Sequence, residues 1–254
     1  MTLLNRSRGL SARSRPSRDA RGGSVDPPSR PVPASEGYDL VAESFDEWEW
    51  CTFWRHNEAP IVERWIRSLP VGLGLDAGSG TGCYSKEIAA AGHRSVAVDI
   101  SLSMLKVLRG KTTGGLLPSA VRSDLQQMPF RDGQFDWVLC TRVLSHISDA
   151  SQALGELARV LRHDGHAFVT DVHPQHPYTF TSVDSRAGSV PIRTYKHGLN
   201  DLGRLAHRDG AFSVCDLHEY RSNDLSWQPR QGRFEKLFRK GGASVFYIME
   251  LRRA

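Results

Sequence analysis

Residues 71–82 read VGLGLDAGSGTG, an apolar run that leads into a loop with glycine at every second position. The apolar part predicts a buried strand, and a helical pattern follows the loop to about Ala91, with Gly92 as its cap. Glycines in such a turn let the backbone bend sharply and approach a ligand closely. The stretch therefore predicts a strand, a ligand-binding loop and a helix, which together open an α/β fold.

The spacing of the glycines separates this loop from a dinucleotide-binding loop. Dinucleotide sites use G-x-G-x-x-G and aim the N-terminus of a helix at a pyrophosphate. Here Gly78, Gly80 and Gly82 follow a G-x-G-x-G pattern, and Asp76 stands two positions before the first glycine. A carboxylate at that position would repel a pyrophosphate, and it suits a ligand with positive charge, such as an ammonium and a sulfonium.

Strand and helix patterns alternate along the chain outside this loop. The predicted strands are 71–76, 95–98, 120–122, 135–140, 166–172, 212–217 and 244–251. Helices are predicted from Pro60 to Leu69, over 102–109 after Ser101, and from Asp149, with Gln152 in a capping-box-like start, to a stop at Gly165. Single helices between strands are typical of a parallel sheet, and the last two strands, without a full helix between them, predict an antiparallel pair.

Acidic residues stand at the ends of the first three strands of this pattern, namely Asp76, Asp99 and Asp124. Ligands of open α/β sheets lie beyond the carboxyl ends of the strands. Asp99 can accept hydrogen bonds from both hydroxyls of a ribose, and Asp124 can accept one from an adenine amino group. Each acid alone is equally well explained as a turn residue or a helix cap, but three in order favour a nucleoside-containing ligand.

These segments resemble the class I S-adenosylmethionine-dependent methyltransferases, in the small-molecule group related to the ubiquinone-biosynthesis enzymes. The resemblance covers about residues 71–175, extends weakly to 251, and rests on LDAGSGTG (75–82), AVDIS (97–101), SDLQQMPFRDGQFDWVLC (123–140) and RVLRHDGHAFVTDVHP (159–174). It implies an α/β fold with a Rossmann-like, doubly wound seven-strand sheet in the order 3-2-1-4-5-7-6 and an antiparallel last strand. It also implies S-adenosyl-L-methionine as the cofactor.

The same resemblance implies which residues surround the cofactor. Gly78 and Gly80 line its methionine part, Asp99 takes the ribose, and Asp124 with Leu125 flanks the adenine. Met104 packs either on the adenine ring or in the core, and the sequence leaves both open. The complete expected set is Asp76, Gly78, Ser79, Gly80, Gly82, Asp99, Ile100, Met104, Asp124, Leu125 and Thr141.

A histidine follows the fourth predicted strand, at the mouth of the expected site. A neutral histidine is the usual base near neutral pH, and His146 is the first candidate; lining the cofactor and a structural role are the alternatives. His173 is the second candidate, because it lies just past the fifth strand beside Asp171, which can orient its ring. Asp171, His173 and His176 also suggest a metal cluster, but the ligand set is incomplete and no metal is predicted.

The charge of the chain is concentrated at its start. The net charge of the 254 residues is +5, and residues 1–35 hold seven Arg, two Asp and no Lys, so the remainder is neutral. A neutral remainder argues against nucleic acid as a partner, and no apolar run is long enough to cross a membrane. Four scattered cysteines without metal-ligand spacing favour a reduced, cytoplasmic protein.

The sequence divides into three predicted parts. Residues 1–35, rich in Arg, Ser and Pro, predict a disordered tail, with an organelle transit peptide as the alternative. Residues 36–70 include FDEWEWCTFW at 45–54 and predict an N-terminal aromatic helical lid, although the same aromatics can simply pack between helices. Residues 71–254 are the expected methyltransferase domain.

A small organic acceptor fits these features best, with the methyl group going to O, N or C, in specialised metabolism. No Asn/Asp-Pro-Pro-Tyr-like segment follows the fourth strand, and by the family's known signature this disfavours the exocyclic amine of adenine or the amide of glutamine. Two alternatives stay open: a non-methylating enzyme on the same fold, such as a cyclase or an NAD enzyme, and a cofactor-binding partner subunit of another methyltransferase. A homo-oligomer is also left open.

Overall fold

The computed structural model describes residues 30–111, 118–177, 180–185, 188–228 and 241–254. Its helices are α1 (Ala34–Val41), α2 (Glu49–Asn57), α3 (Ala59–Ser68), α4 (Ser85–Ala90), α5 (Leu102–Lys111), α6 (Ala150–Val160) and α7 (Leu199–His207). Its strands are β1 (Leu73–Ala77), β2 (Arg94–Asp99), β3 (Ser119–Arg122), β4 (Phe135–Thr141), β5 (Leu161–Val172), β6 (Phe180–Ser185), β7 (Gly188–Arg193), β8 (Phe212–Arg221) and β9 (Ser244–Arg253).

Seven of these strands form one sheet in the order β3-β2-β1-β4-β5-β9-β8. Strands β1 to β5 are parallel, whereas β9 runs antiparallel to both β5 and β8. Counted within the sheet, β8 and β9 are the sixth and seventh strands. The predicted order 3-2-1-4-5-7-6 with an antiparallel last strand is therefore confirmed, and so is the Rossmann-like α/β class.

The glycine-rich loop leaves β1 at the carboxyl edge of the sheet. Gly78, Gly80 and Gly82 all have positive φ, at 76°, 54° and 80°, which residues with side chains rarely adopt. A Cβ on Gly78 would also lie 2.2 Å from Cγ2 of Val143, in the segment after β4. Glycine at position 78 thus lets the loop pack against the end of the neighbouring strand.

Two sequence predictions around α6 need correction. The helix ends at Val160, and β5 begins directly at Leu161, so Gly165 lies inside the strand rather than at a helix end. The Asp149 carboxylate caps α6 by accepting from two backbone N–H groups, but the Gln152 amide donates to the Gln126 carbonyl instead of reaching back. The cap is therefore one-sided, and the second half of the expected capping box is absent.

The hairpin of β6 and β7 and the helix α7 were not predicted from the sequence. Residue Val32 joins this hairpin: its N–H donates to the Pro191 carbonyl at 3.0 Å, and its carbonyl accepts from Arg193 N at 2.8 Å. The predicted end of the disordered tail at residue 35 is therefore wrong, because backbone pairing already begins at Val32. Residues 1–29 lie outside the described residues.

The segment 36–70 divides between two places in the molecule. Helix α1 packs on β7 and α5, whereas α3 lies on the sheet, with the Trp65 ring against Trp137 and Phe168. The division matters because α1 and α2 contribute side chains to the cavity at the carboxyl edge of the sheet, whereas α3 contributes none. Within the described residues, no helix combines the length and the apolar character that crossing a bilayer requires.

Candidate functional site

A cavity of about 550 Å³ opens at the carboxyl edge of the sheet, in front of β1, β2, β4 and β5. Most of the residues predicted to hold the cofactor line it: Gly78, Ser79, Gly80, Asp99, Ile100, Met104, Asp124, Leu125 and Thr141. The catalytic candidates His146 and Asp171 line it too. The structure thus brings together residues that lie up to 93 positions apart in the chain, from Gly78 to Asp171.

Asp76 and Gly82 are not among the residues that line the cavity. Asp76 is 3% exposed, and burial together with repulsion from Asp99 raises its pKa to about 7. A Cβ at Gly82 would lie 2.9 Å from Cγ of Leu108, so this glycine allows α5 to pack on the loop. Both residues support the loop from behind, and the expected direct contact of Asp76 with the ligand is not what its position provides.

Asp99 is held rigidly at the end of β2. Its two carboxylate oxygens accept from Gly80 N and Ser101 N, each at 2.8 Å. Burial raises the pKa of Asp99, and the backbone donors oppose that shift. Asp124, by contrast, is exposed and accepts from Gln126 N at 2.9 Å.

Two features of the loop fit a polar ligand of the cofactor's kind. The Ser79 hydroxyl is buried and has no hydrogen-bond partner among the described residues. A Cβ at Gly80 would meet no atom within 4 Å, so the backbone there faces open space. A buried hydroxyl without a partner is costly in an empty protein, and a bound polar group would satisfy it.

Aromatic side chains from the N-terminal segment also line the cavity. Phe45, Trp48, Trp50 and Trp54 line it, and the Trp50 and Trp54 rings stack with centroids 5.8 Å apart. Phe53 is fully buried and packs in the core instead. Trp50 and Trp54 belong to the same core cluster at 5% exposure each, so they line the cavity and pack in the core at once, and the lid stays a prediction.

His146 has hydrogen-bond partners on both ring nitrogens. Nε2 lies 2.8 Å from the Tyr38 hydroxyl, and Nδ1 lies 3.0 Å from the Arg193 carbonyl. Burial lowers the pKa of His146, against smaller effects of the Arg193 carbonyl and Asp171. The ring is therefore neutral at neutral pH, as a proton acceptor must be.

Asp171 and His173 follow each other at the end of β5 but do not contact each other through their side chains. The Asp171 carboxylate accepts from Ser145 N and Val172 N, both at 2.7 Å, and burial raises its pKa. Nε2 of His173 lies 3.0 Å from Oε2 of Glu219. The expectation that Asp171 orients His173 is thus wrong, because Glu219 from β8 holds that ring.

His173 also lies outside the main cavity. It lines a side cavity of about 50 Å³ that shares Asp171 with the main one. Among the described residues no group of three or more His, Cys, Asp or Glu is arranged to hold a metal ion. His176 packs its ring edge-on to Trp50, and burial, together with Lys196, lowers its pKa to about 4.

Sequence reasoning missed a buried ion pair in the wall of the cavity. Glu58 is 0% exposed; it accepts from the Tyr84 hydroxyl at 2.6 Å and from the Thr170 hydroxyl, and it lies 3.2 Å from Nη1 of Arg142. Arg142 lines the cavity, lies over the Trp54 ring at 5.3 Å and has a positive φ of 60°. Its position directly after Thr141 was a usable signal, whereas nothing marked Glu58 or Tyr38.

Comparisons with known proteins agree with this geometry. A sequence profile described as "Methyltransferase domain" matches residues 75–169. The demethylmenaquinone methyltransferase of Streptomyces avermitilis is 34% identical over 193 residues, which are 75% of this chain and 74% of that protein. An O-methyltransferase of Penicillium expansum is 26% identical over 218 residues, 77% of this chain and 78% of the other. With two further curated relatives the match spans only 25% and 40% of their length.

Solved structures give the same fold. An S-adenosylmethionine-dependent methyltransferase from Mesorhizobium loti superposes with a TM-score of 0.57 at 16% identity, over 76% of this chain and 96% of that one. The [4+2]-cyclase SpnF superposes with a TM-score of 0.60 at 16% identity, over 88% and 99%. The profile match and the extent of the Streptomyces match settle the family. The chain belongs to the class I S-adenosylmethionine-dependent methyltransferases.

Proposed function

We propose that this protein transfers the methyl group of S-adenosylmethionine to a small organic acceptor. The observation that carries the proposal is that one cavity is lined both by the expected cofactor residues and by the aromatic residues with His146. Its volume of about 550 Å³ falls in the range of small-molecule sites, roughly 300–1,000 Å³.

The cofactor half is built from the loop and the ends of β2 and β3. Asp99 would accept from the ribose hydroxyls, Ser79 and Gly80 would face the methionine part, and Leu125 and Met104 would enclose the adenine. When bound, the cofactor supplies a methyl group on a positively charged sulfur, and the residues of the chain supply its position. This assignment is supported by the lining positions of these residues and by the Ser79 hydroxyl without a described partner.

Arg142 lines the same cavity, and its positive charge suits the carboxylate of the methionine part. Burial works to lower the pKa of Arg142, but Glu58, Tyr84 and two neighbouring cysteines together outweigh it, so that pKa is raised and the guanidinium stays charged. S-adenosylmethionine and its decarboxylated form differ only in that carboxylate. We expect Arg142→Gln to narrow the gap between their affinities, measured by calorimetric titration; an unchanged gap contradicts the contact.

The acceptor half favours a molecule with an apolar, flat part. Four aromatic side chains line this half, and the polar groups that line the cavity with them include His146, Asp171, Tyr38 and Ser145. His146 is the base to which we assign the positive charge that proton removal leaves, because its ring is neutral and reaches the cavity. His173 stays the second candidate, although its ring is bound to Glu219 beside a separate small cavity.

We also propose a cytoplasmic location, which is supported by four free cysteines, Cys51, Cys83, Cys140 and Cys215. The division into a lid over residues 36–70 and a methyltransferase domain over 71–254 stays a proposal, with α1 and α2 as the part that faces the cavity. A homo-oligomer stays a prediction, and size-exclusion chromatography with light scattering tests it.

The decisive experiment incubates the protein with S-adenosylmethionine labelled on the methyl group and a panel of phenols, amines and acids. We expect label in at least one acceptor together with one equivalent of S-adenosylhomocysteine. Gly80→Val, whose side chain would enter the cavity, should abolish both, whereas Gly155→Ala, on an open face of α6, should change neither. Cofactor binding without transfer to any acceptor would favour the partner-subunit or cyclase alternatives.

A further inference from the structure

Tyr38 and His146 contact each other at the cavity. The Tyr38 hydroxyl is 2.8 Å from Nε2 of His146, the two rings meet edge to face with centroids 5.2 Å apart, and both residues line the cavity. Nδ1 of His146 faces the Arg193 carbonyl at 3.0 Å. A carbonyl only accepts, so Nδ1 carries the proton, and Nε2 is the free base that accepts from the tyrosine.

Both nitrogens of His146 are therefore engaged, and the histidine has no lone pair left for an acceptor. The tyrosine oxygen, by contrast, donates its single proton to His146 and keeps acceptor capacity of its own. An acceptor hydroxyl in the cavity can donate to that oxygen. The group best placed to meet the acceptor's proton is thus the tyrosine, with the histidine behind it.

The position of Tyr38 is fixed from both sides. The next residue, Asp39, accepts from the Ser101 hydroxyl at 2.6 Å and from Ser103 N at 2.9 Å, which ties α1 to the start of α5. The preceding Gly37 lies so close to β7 that a Cβ would be 2.5 Å from Cγ1 of Ile192. The hydroxyl is therefore held at His146 by the backbone, which is the pre-organisation that proton transfer needs.

The charges around the pair suit a proton relay. The titratable groups that face it are Asp99 at the end of β2, Asp171 at the end of β5, Arg142 after β4 and Cys51 on α2. Burial, and then Asp99 and Asp171, raise the pKa of Tyr38, so the phenol does not ionise alone at neutral pH. It can give a proton only as it receives one.

We propose that Tyr38 is a catalytic residue that takes the proton of a hydroxyl acceptor while it passes its own proton to Nε2 of His146. The proposal rests on the proposed methyl transfer and narrows it to acceptors with a hydroxyl group. In the step, the acceptor oxygen forms a bond to the methyl carbon, and the carbon–sulfur bond breaks with its electron pair going to sulfur. The acceptor proton ends on Tyr38, and the Tyr38 proton ends on His146. The negative charge of Asp171 stabilises the resulting imidazolium until it loses the proton to solvent.

The activity test uses phenol and 4-nitrophenol, the second of which is already ionised in mildly alkaline buffer. With phenol, Tyr38→Phe should lower turnover at least about a hundredfold, within the range of a positioned base. With 4-nitrophenol the loss should largely disappear, because no proton remains to be removed. The double variant with His146→Gln should be no slower than the slower single variant, since the two residues act as a unit. Tyr220→Phe, on β8 outside the cavity, is the matched control and should leave turnover unchanged.

A second readout needs no acceptor. In protein labelled with ¹⁵N-histidine and saturated with S-adenosylhomocysteine, His146 should show a protonated Nδ1 and a free Nε2. Tyr38→Phe should raise the pKa of His146, because a donor to Nε2 favours the neutral ring. Failure of S-adenosylhomocysteine to bind would remove the proposed function itself.

Four outcomes overturn the relay while the proposed function stands. The first is an equal loss of turnover in Tyr38→Phe with both phenols, and the second is a loss of turnover in His146→Gln without one in Tyr38→Phe. The third is a proton on Nε2 of His146, and the fourth is binding of the cofactor with no methylation of either phenol. The first would leave Tyr38 as a positioning residue, and the second would return the base to His146.

Discussion

The two sides of the cavity differ in how far apart along the chain their contacts lie. On the cofactor wall, which we define as residues 76–125, Asp99 binds Gly80 and Ser101, 19 and 2 residues away. On the lid wall, which we define as α1, α2 and the β6–β7 hairpin with Arg142 and His146, Tyr38 meets His146 over 108 residues. The contacts of the cofactor wall join residues that are close in the sequence, whereas those of the lid wall form only when distant parts of the chain fold together.

The largest effect we expect is on the lid wall. Arg142→Met should lower the free energy of unfolding by about 3–5 kcal/mol, because it removes the ion-pair partner of the fully buried Glu58 side chain. Urea denaturation followed by tryptophan fluorescence measures it. Arg67→Met is the control, since the Arg67–Glu63 pair is exposed and such pairs contribute at most about 1 kcal/mol. Equal losses in the two variants would show that the burial of Glu58 has no energetic consequence.

The next effect concerns the cofactor wall. S-adenosylhomocysteine at a hundred times its dissociation constant should stabilise the protein by about 2.7 kcal/mol and raise its melting temperature, because it binds only the folded state. NAD should have no effect, since the G-x-G-x-G spacing and the preceding Asp76 do not suit a pyrophosphate. A shift with NAD alone, in the same thermal titration, would reverse the assignment of the loop.

Asp99→Ala tests one contact within that wall. Each hydrogen bond to its charged carboxylate is worth roughly 1.5–3 kcal/mol, so affinity for S-adenosylhomocysteine should fall by at least about tenfold. Asp124→Ala should cost less, because Asp124 is exposed and already bound to Gln126. Calorimetric titration of both variants compares them, and a larger loss in Asp124→Ala would exchange their roles.

The same contrast explains what the sequence could predict. The sheet order, the loop and the acids at the strand ends follow from local patterns, because strand and helix periods and glycine spacing are read over a few residues. The hairpin β6–β7 was missed, since no tight-turn signal was read between its strands, and its pairing with Val32 joins residues 160 positions apart. Gly165 was misread because a glycine after a helix pattern is usually a cap, whereas here the chain passes directly into β5.

The site shows the same limit. Gly78, Asp99 and His146 were identified because each follows a strand whose end faces the ligand, a rule that needs only the strand assignment. Tyr38 lies on α1 and Glu58 lies between α2 and α3, and only tertiary contacts bring them to the site. Asp76 shows the reverse case, since its place before the glycines suggested a ligand contact, while the fold turns its side chain into the interior.

The smallest effect we expect is on one contact between the two walls, the hydrogen bonds of Asp39 on α1 with Ser101 and Ser103 at the start of α5. Burial works against the charge of Asp39, but the hydrogen bonds from Ser101 and Ser103 outweigh it and hold its pKa below the ordinary value. A carboxylate with a lowered pKa in the folded state adds stability above its unfolded pKa and loses it as the pH falls through the lowered value. Asp39→Asn should therefore lower the free energy of unfolding by about 0.5–1 kcal/mol at neutral pH, a modest figure because the group is exposed.

The difference in unfolding free energy between Asp39→Asn and the unaltered protein should vanish in acid, where both side chains are uncharged. Thermal unfolding across a pH series measures this gap, with Glu43→Gln, an exposed acid just after α1, as the control. A gap that stays constant into acid would mean that Asp39 holds α1 in place by its shape rather than by its charge.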